Sequence, residues 1–234
     1  MANSVMRSGA KKVYNYVSKL PNRFTLTAGR LGMIELYQPI YGDNDSNGQR
    51  MCADRWAVMK NFLPKGKFSF MDIGSQIGYF TFNAAEQGAV SFGVERNKRY
   101  CEVAEAIKSM RNIEHVAFLH MGIDSFTVKG LPKVDVLCCM SIFHHWVRES
   151  GFEEADKIFS ELCSRSSSIF FDTGQSDEKK TDWADTLSFM EPDPIEWIEK
   201  YLTSKGFTTV KKLGEFPTHL SDVPRMLFFA SKKQ

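Results

Sequence analysis

From about residue 50 onward, short apolar runs alternate with amphipathic stretches of helical period. Phe68 to Ile73 is a buried-strand run that breaks at Gly74 and Gly78 and re-enters as a helix over Tyr79 to Gln87, with Gly88 as its cap. Ala89 to Glu95 reads as a second strand, ending in an acid, and Asn97 to Arg111 as a helix with Tyr100, Val103, Ala104 and Ile107 inward. His115 to Met121 and Lys133 to Met140 predict two more strands. The latter runs into the loop Ser141-Ile-Phe-His-His-Trp146. Phe152 to Cys163 predicts a helix, Ser167 to Asp172 a fifth strand, and the polar Gln175 to Asp185 a loop. Asp193 to Lys205 predicts a helix with Pro194 in its first turn; Phe207 to Lys212 and Met226 to Ser231 predict two last strands, an antiparallel pair. Upstream, Val13 to Leu20 has helical spacing stopped at Pro21, and Arg50 to Phe62 reads as a helix.

This alternation predicts an α/β fold, a seven-stranded, mostly parallel sheet with helices on both faces. Residues 1–62 form an N-terminal helical lid segment and 63–234 the core, within a single domain. Ligands of such sheets sit beyond the carboxyl ends of the strands. Those ends are Asp72-Gly74-Gly78, Glu95, Gly122-Asp124, Met140 to His145 and Asp172-Thr173.

Composition changes this picture little. The 19 Phe residues fill a core, and a net charge of +2 is too small to argue for nucleic acid as partner. Five cysteines without C-x-x-C spacing fit reduced thiols in a cytoplasmic protein, with Cys138 and Cys139 inert in an apolar strand. No run reaches the length of a membrane span, and no signal-peptide pattern opens the chain. The first 32 residues are basic and free of acids, which motivates an RNA-modifying reading or a solvated helix over the core.

Gly74 allows a sharp turn and close backbone approach, and Gly78 lets the next helix approach the strand. Glu95, at the end of the following strand, stands where a carboxylate accepts the hydroxyls of a ribose. A dinucleotide fingerprint requires a middle glycine for the pyrophosphate, and Gln76 occupies that place.

Asp72-x-Gly74-x-x-x-Gly78 resembles the glycine loop of class I S-adenosylmethionine-dependent methyltransferases. Three further stretches occur in a shared order: Tyr37-Gln-Pro-Ile-Tyr-Gly42, Ser141-Ile-Phe-His-His145 and Gly214-Glu-Phe-Pro-Thr-His-Leu-Ser-Asp-Val-Pro-Arg225. With the glycine loop they resemble the methyltransferase domain of bacterial O-antigen chain-terminating enzymes of the WbdD type, over roughly Leu36 to Ser231. The last stretch is the longest and most specific. The resemblance implies a Rossmann-like class I methyltransferase fold, S-adenosyl-L-methionine as cofactor, and methyl transfer to a phosphate on a terminal sugar. That family couples the transfer to a kinase domain. None is expected within these residues, so a phosphorylated acceptor would come from elsewhere, or a different small acceptor would be used.

On this reading the cofactor is held by Asp72, Gly74, Ser75, Gln76, Gly78 and Glu95, with Arg50 on its carboxylate. Ile123 and Asp124 lie at the adenine edge, Met140 and Phe143 alongside, and Tyr37 and Tyr41 close over it or pack in the core. His144, His145, His219 and Arg225 are the candidate catalytic groups, as base or as phosphate donors. Arg148 is a further cation. An anionic acceptor needs cations rather than a base, whereas a hydroxyl needs a base such as His. No second cluster completes a metal site around His144 and His145, so no metal is expected. An RNA methyltransferase and a non-catalytic cofactor-binding protein are the alternatives.

Overall fold

The computed structural model describes residues 26–27, 37–43, 52–218 and 220–233. Arg50, His219 and most of the expected N-terminal lid lie outside them. The chain enters the fold through α1 (Cys52–Met59) and alternates β1 (Phe68–Ile73), α2 (Tyr79–Glu86), β2 (Ala89–Glu95), α3 (Lys98–Arg111), β3 (Val116–His120) and β4 (Val134–Met140). Two helices, α4 (Phe143–Ser150) and α5 (Phe152–Ser164), lead to β5 (Ser166–Asp172); α6 (Pro194–Ser204), β6 (Thr209–Phe216) and β7 (Arg225–Ser231) close it. The sheet order is β3-β2-β1-β4-β5-β7-β6. The first five strands are parallel, and β7 is inserted antiparallel between β5 and β6.

The central strands are apolar throughout because both faces are covered. On β4, Val136, Cys138 and Met140 enter a core shared with Trp56 and Met59 of α1 and Phe80 of α2. Leu137 and Cys139 point the other way, to Phe143, Ile158, Phe159 and Leu202 of α4, α5 and α6. The seven-stranded sheet covered on both faces is therefore as expected. The helices start where the sequence signals them: Asn97 and Asp193 accept from the backbone N–H groups of Arg99 and Glu196, at 2.9 Å in both caps.

Three expectations fail around residue 143. The stretch read as a loop is a helix, since Phe143, Trp146 and Val147 have helical spacing and all three are buried. Phe143, expected beside the cofactor, is a core ring with no exposed surface, in edge contacts with Phe159 and Phe171 and a tilted contact with Tyr201. Met140, likewise expected there, packs beneath α1.

The chain from β1 passes to β2 on one side while β4 lies on the other. This is the topological switch point at which such folds bind ligands. Each side carries a non-glycine residue with positive φ at its strand end, Gln76 at +52° and Ser141 at +58°.

Candidate active site

The turn after β1 hangs on β2, with the N–H groups of Gly74 and Ser75 both donating to the Val94 carbonyl, at 2.8 and 3.1 Å. Gly74 has φ +72°, and a β-carbon there would lie 2.3 Å from Ile142 Cδ1. At Gly78, φ is +88° and a β-carbon would lie 2.6 Å from the Phe118 ring. Both positions therefore exclude side chains. The buried Asp72 accepts from Thr81 Oγ1 at 2.9 Å, tying β1 to the first turn of α2.

Glu95 is buried at the end of β2. Its Oε2 accepts from the Gln76 N–H at 3.0 Å and its Oε1 from the Asn97 N–H at 2.7 Å. Each oxygen retains a second lone pair, as the hydroxyls of a ribose require. Ser75 Oγ and Gln76 Oε1 are buried without hydrogen-bond partners in the same turn. Beyond β3, Met121 and Ile123 pack partly buried against the core as an apolar wall. Asp124, exposed at the rim, accepts from the N–H groups of Thr127 and Phe126 at 2.7 and 2.9 Å. Those bonds, Thr127 first, hold its carboxyl below the usual range. A backbone cradle, a buried diol acceptor and an apolar wall fit an adenosine-bearing cofactor.

Tyr41 does not join them. Its ring stacks on Phe82 at 5.2 Å and packs with Ile40, Val103 and Ile107 between α2 and α3. Burial, then the Glu86 carboxylate, raises its pKa. The alternative of core packing applies to it.

Across the switch point lies a cavity of about 210 Å³ lined by Tyr37, Ser141, His144, His145, Trp183 and Arg225. Behind it runs a buried chain of alternating charge. Arg225 pairs side-on with Glu178, Nε to Oε1 at 2.7 Å and Nη2 to Oε2 at 2.8 Å. Its Nη1 donates to Ser141 Oγ at 3.0 Å, and Ser141 Oγ donates to Asp172 Oδ1 at 2.7 Å. Asp172 Oδ2 accepts from Arg55 Nε at 3.4 Å, and Arg55 Nη2 donates to the Pro217 carbonyl at 3.2 Å. Glu178 also accepts from Gln175 N–H at 3.0 Å and Trp183 Nε1 at 3.1 Å. Positive and negative groups balance along this chain, which is what permits their burial.

His144 is buried, and its Nδ1 accepts from the Gly174 N–H at 2.9 Å, with Thr173 Oγ1 at 3.2 Å. A backbone N–H can only donate, so the neutral ring carries its proton on Nε2 and acts as a donor on its other edge. His145 Nδ1 is buried without a partner, and burial followed by the Arg148 charge pushes its pKa down to about 4.

Arg148 is engaged on the outer surface with Asp182 and Glu149. Cys138 and Cys139 are fully buried, and burial raises both thiols well above their usual range. Among the described residues no three His, Cys, Asp or Glu side chains are placed to hold a metal ion, and no helix is long and apolar enough to cross a membrane.

The structure thus groups Tyr37 with His144, His145 and Arg225, rather than with the glycine turn. Sequence reasoning missed Glu178, Trp183 and Arg55 as members of the cleft or its support. The signal present was compositional: Trp183 is a large aromatic in an otherwise polar stretch.

No protein-family model matches the chain. It is 25% identical over 207 residues to the O-antigen chain terminator bifunctional methyltransferase/kinase WbdD of Escherichia coli, across 84% of this chain and 28% of that protein. A solved structure of WbdD with a kinase inhibitor superposes with a TM-score of 0.72 at 23% identity, over 86% of this chain and 46% of that one. Magnesium protoporphyrin IX methyltransferase (ChlM) from Synechocystis PCC 6803 with bound SAH superposes with a TM-score of 0.61 at 16% identity, over 96% and 99% of the two chains. The same enzyme with bound SAM gives 0.58 over 79% of each. The chain has the Rossmann-like class I methyltransferase fold, is similar in sequence to the methyltransferase/kinase WbdD, and spans less than a third of that relative's length.

Proposed function

We propose that this chain is an S-adenosylmethionine-dependent methyltransferase acting on an oxygen of a small anionic acceptor, with a phosphorylated sugar or glycan end as first choice. The observation that carries the donor half is the buried Glu95 carboxylate, hooked to the turn at Gln76 and aimed at the switch point. The sequence similarity to WbdD and the cofactors bound to the ChlM neighbours support the same reading. The bound cofactor supplies an electrophilic methyl group on a sulfonium. Glu95 holds its ribose, the backbone from Gly74 to Gly78 follows its amino-acid end, and Met121 and Ile123 shield its base from water. Arg50 is assigned to its carboxylate.

The acceptor half rests on what the cleft offers. Of the five guanidinium N–H groups of Arg225, two bind Glu178 and one Ser141. Nη1 and Nη2 each carry one further N–H that can serve an anionic acceptor, and Glu178 keeps the fork from turning. His144 and His145 line the same cleft, and His219 belongs to the same C-terminal stretch. Neither cleft imidazole is a good base: His144 carries its proton on the outer nitrogen, and His145 is too weakly basic. An acceptor that arrives ionised needs only to be held in near-attack geometry, whereas a neutral hydroxyl would find no partner for its proton in either of these two rings. WbdD is named for O-antigen chain termination, which supports a saccharide end as the acceptor.

Transfer of labelled methyl from S-adenosylmethionine tests the reading on three acceptor classes: sugar phosphates, the matching free sugars, and short RNA. Label entering the phosphorylated sugars alone is the expected result. Label entering RNA with salt-sensitive affinity would favour an RNA methyltransferase instead, and no turnover with any cell metabolite would favour a non-catalytic binding role.

A further inference from the structure

Gln76 sits in the middle of the glycine turn with φ +52°, a conformation that residues with a β-carbon avoid. Its neighbours Gly74 and Gly78 take the same hand without that strain. Glutamine lacks the short side-chain-to-backbone bond by which Asn and Asp tolerate the left-handed region. Its Oε1 is moreover buried without a hydrogen bond, which is unfavourable in its own right. Two local penalties therefore fall on one side chain, and glycine would remove both. The structural contribution of this residue comes from its backbone N–H, which donates to Glu95 Oε2 at 3.0 Å and which glycine would keep. Strained backbone clusters at active sites and ligand clamps, and a buried acceptor without a protein partner takes a water, an ion or a ligand to satisfy it.

Resting on the cofactor reading above, we infer that Gln76 is a cofactor-selecting residue. Its Oε1 accepts from a ribose hydroxyl beside Glu95, so that the diol meets acceptors from two side chains of this protein. The side chain leaves the turn where the Glu95 carboxylate meets it, and the unpaired atom is an acceptor, matched to a hydroxyl rather than to a carboxylate. A middle glycine admits a closer backbone but supplies no such oxygen.

The test is calorimetric titration of the full chain and its Gln76→Met and Gln76→Gly variants with S-adenosylhomocysteine and with 5′-methylthioadenosine, which keeps the ribose but lacks the amino-acid end. Methionine preserves length and backbone strain without the acceptor, whereas glycine removes both. Both variants should weaken both ligands by roughly 3- to 10-fold, the range of one hydrogen bond. Without ligand, Gln76→Gly should melt at the same temperature or up to about 4 °C higher. Wild-type affinity in Gln76→Met would overturn the inference while leaving the cofactor reading intact. So would a loss confined to S-adenosylhomocysteine, which would place the contact at the amino-acid end, or a lowered melting temperature in Gln76→Gly. Absence of binding to the unaltered chain would remove the cofactor reading, and this inference with it.

Discussion

Replacing Glu178 by Gln separates a buried, matched ion pair from an incidental surface one. Glu178 has no exposed surface, and its two oxygens accept four N–H groups: Arg225 Nε and Nη2, the Gln175 backbone and Trp183 Nε1. Glutamine is nearly isosteric, but it turns one acceptor oxygen into an NH₂ that meets N–H groups head-on and leaves the buried Arg225 charge without its counter-ion. Breaking a buried pair from one side costs about 3–5 kcal/mol. For a chain of this size that corresponds to a melting temperature lower by roughly 6–20 °C. Thermal and urea unfolding of Glu178→Gln measure it directly. The double variant Glu178→Gln/Arg225→Met removes the stranded charge and should recover much of the loss. A destabilisation below about 1 kcal/mol, or a double variant as unstable as the sum of the singles, would refute the argument that Arg225 is held by Glu178.

Three further outcomes follow from named contacts. Gly74→Ala should destabilise by roughly 2–5 kcal/mol, because the β-carbon meets Ile142 Cδ1 at 2.3 Å and φ is +72°; adding Ile142→Ala should restore only the packing part, as read by urea unfolding. Tyr41→Phe, which keeps the ring stacked on Phe82, should leave cofactor affinity unchanged by calorimetry. His145 titrates at about 4 when folded against 6.5 in its reference state. The unfolded chain therefore takes up this proton first, and stability is lost as pH falls from 6.5 toward 4, by up to about 3 kcal/mol. His145→Gln should flatten that part of a stability–pH curve.

Much of the fold is legible in the sequence because central parallel strands are buried on both faces and so appear as unbroken apolar runs. The span Ala89 to Glu95 coincides with β2. The glycine turn is legible for a related reason: positive φ and a neighbour at contact distance leave glycine as the residue that fits. The support of the cleft is not legible in this way. Gln175 to Asp185 reads as a solvated loop, yet Gln175, Ser176, Glu178 and Trp183 are buried. Their partners lie far along the chain: Arg225 is 47 positions from Glu178, and Arg55 is 117 from Asp172. A charged residue is assigned to the surface by any local pattern until its counter-ion is known. Arg55 is such a case, one turn into an amphipathic helix and without exposed surface. The placement of His144 and His145 was obscured differently. Ser141, at φ +58°, ends β4 and starts α4 within two residues, leaving no polar linker to mark the change of period.

The central claim is that Glu95 and the glycine turn hold S-adenosylmethionine. Isothermal titration of the full chain with S-adenosylmethionine, before and after Glu95→Ala, tests it most directly. Saturable one-to-one binding, weakened by roughly 10-fold or more when the buried carboxylate is removed, is the predicted result. No heat of binding to the unaltered chain, or equal affinity in Glu95→Ala, would contradict it.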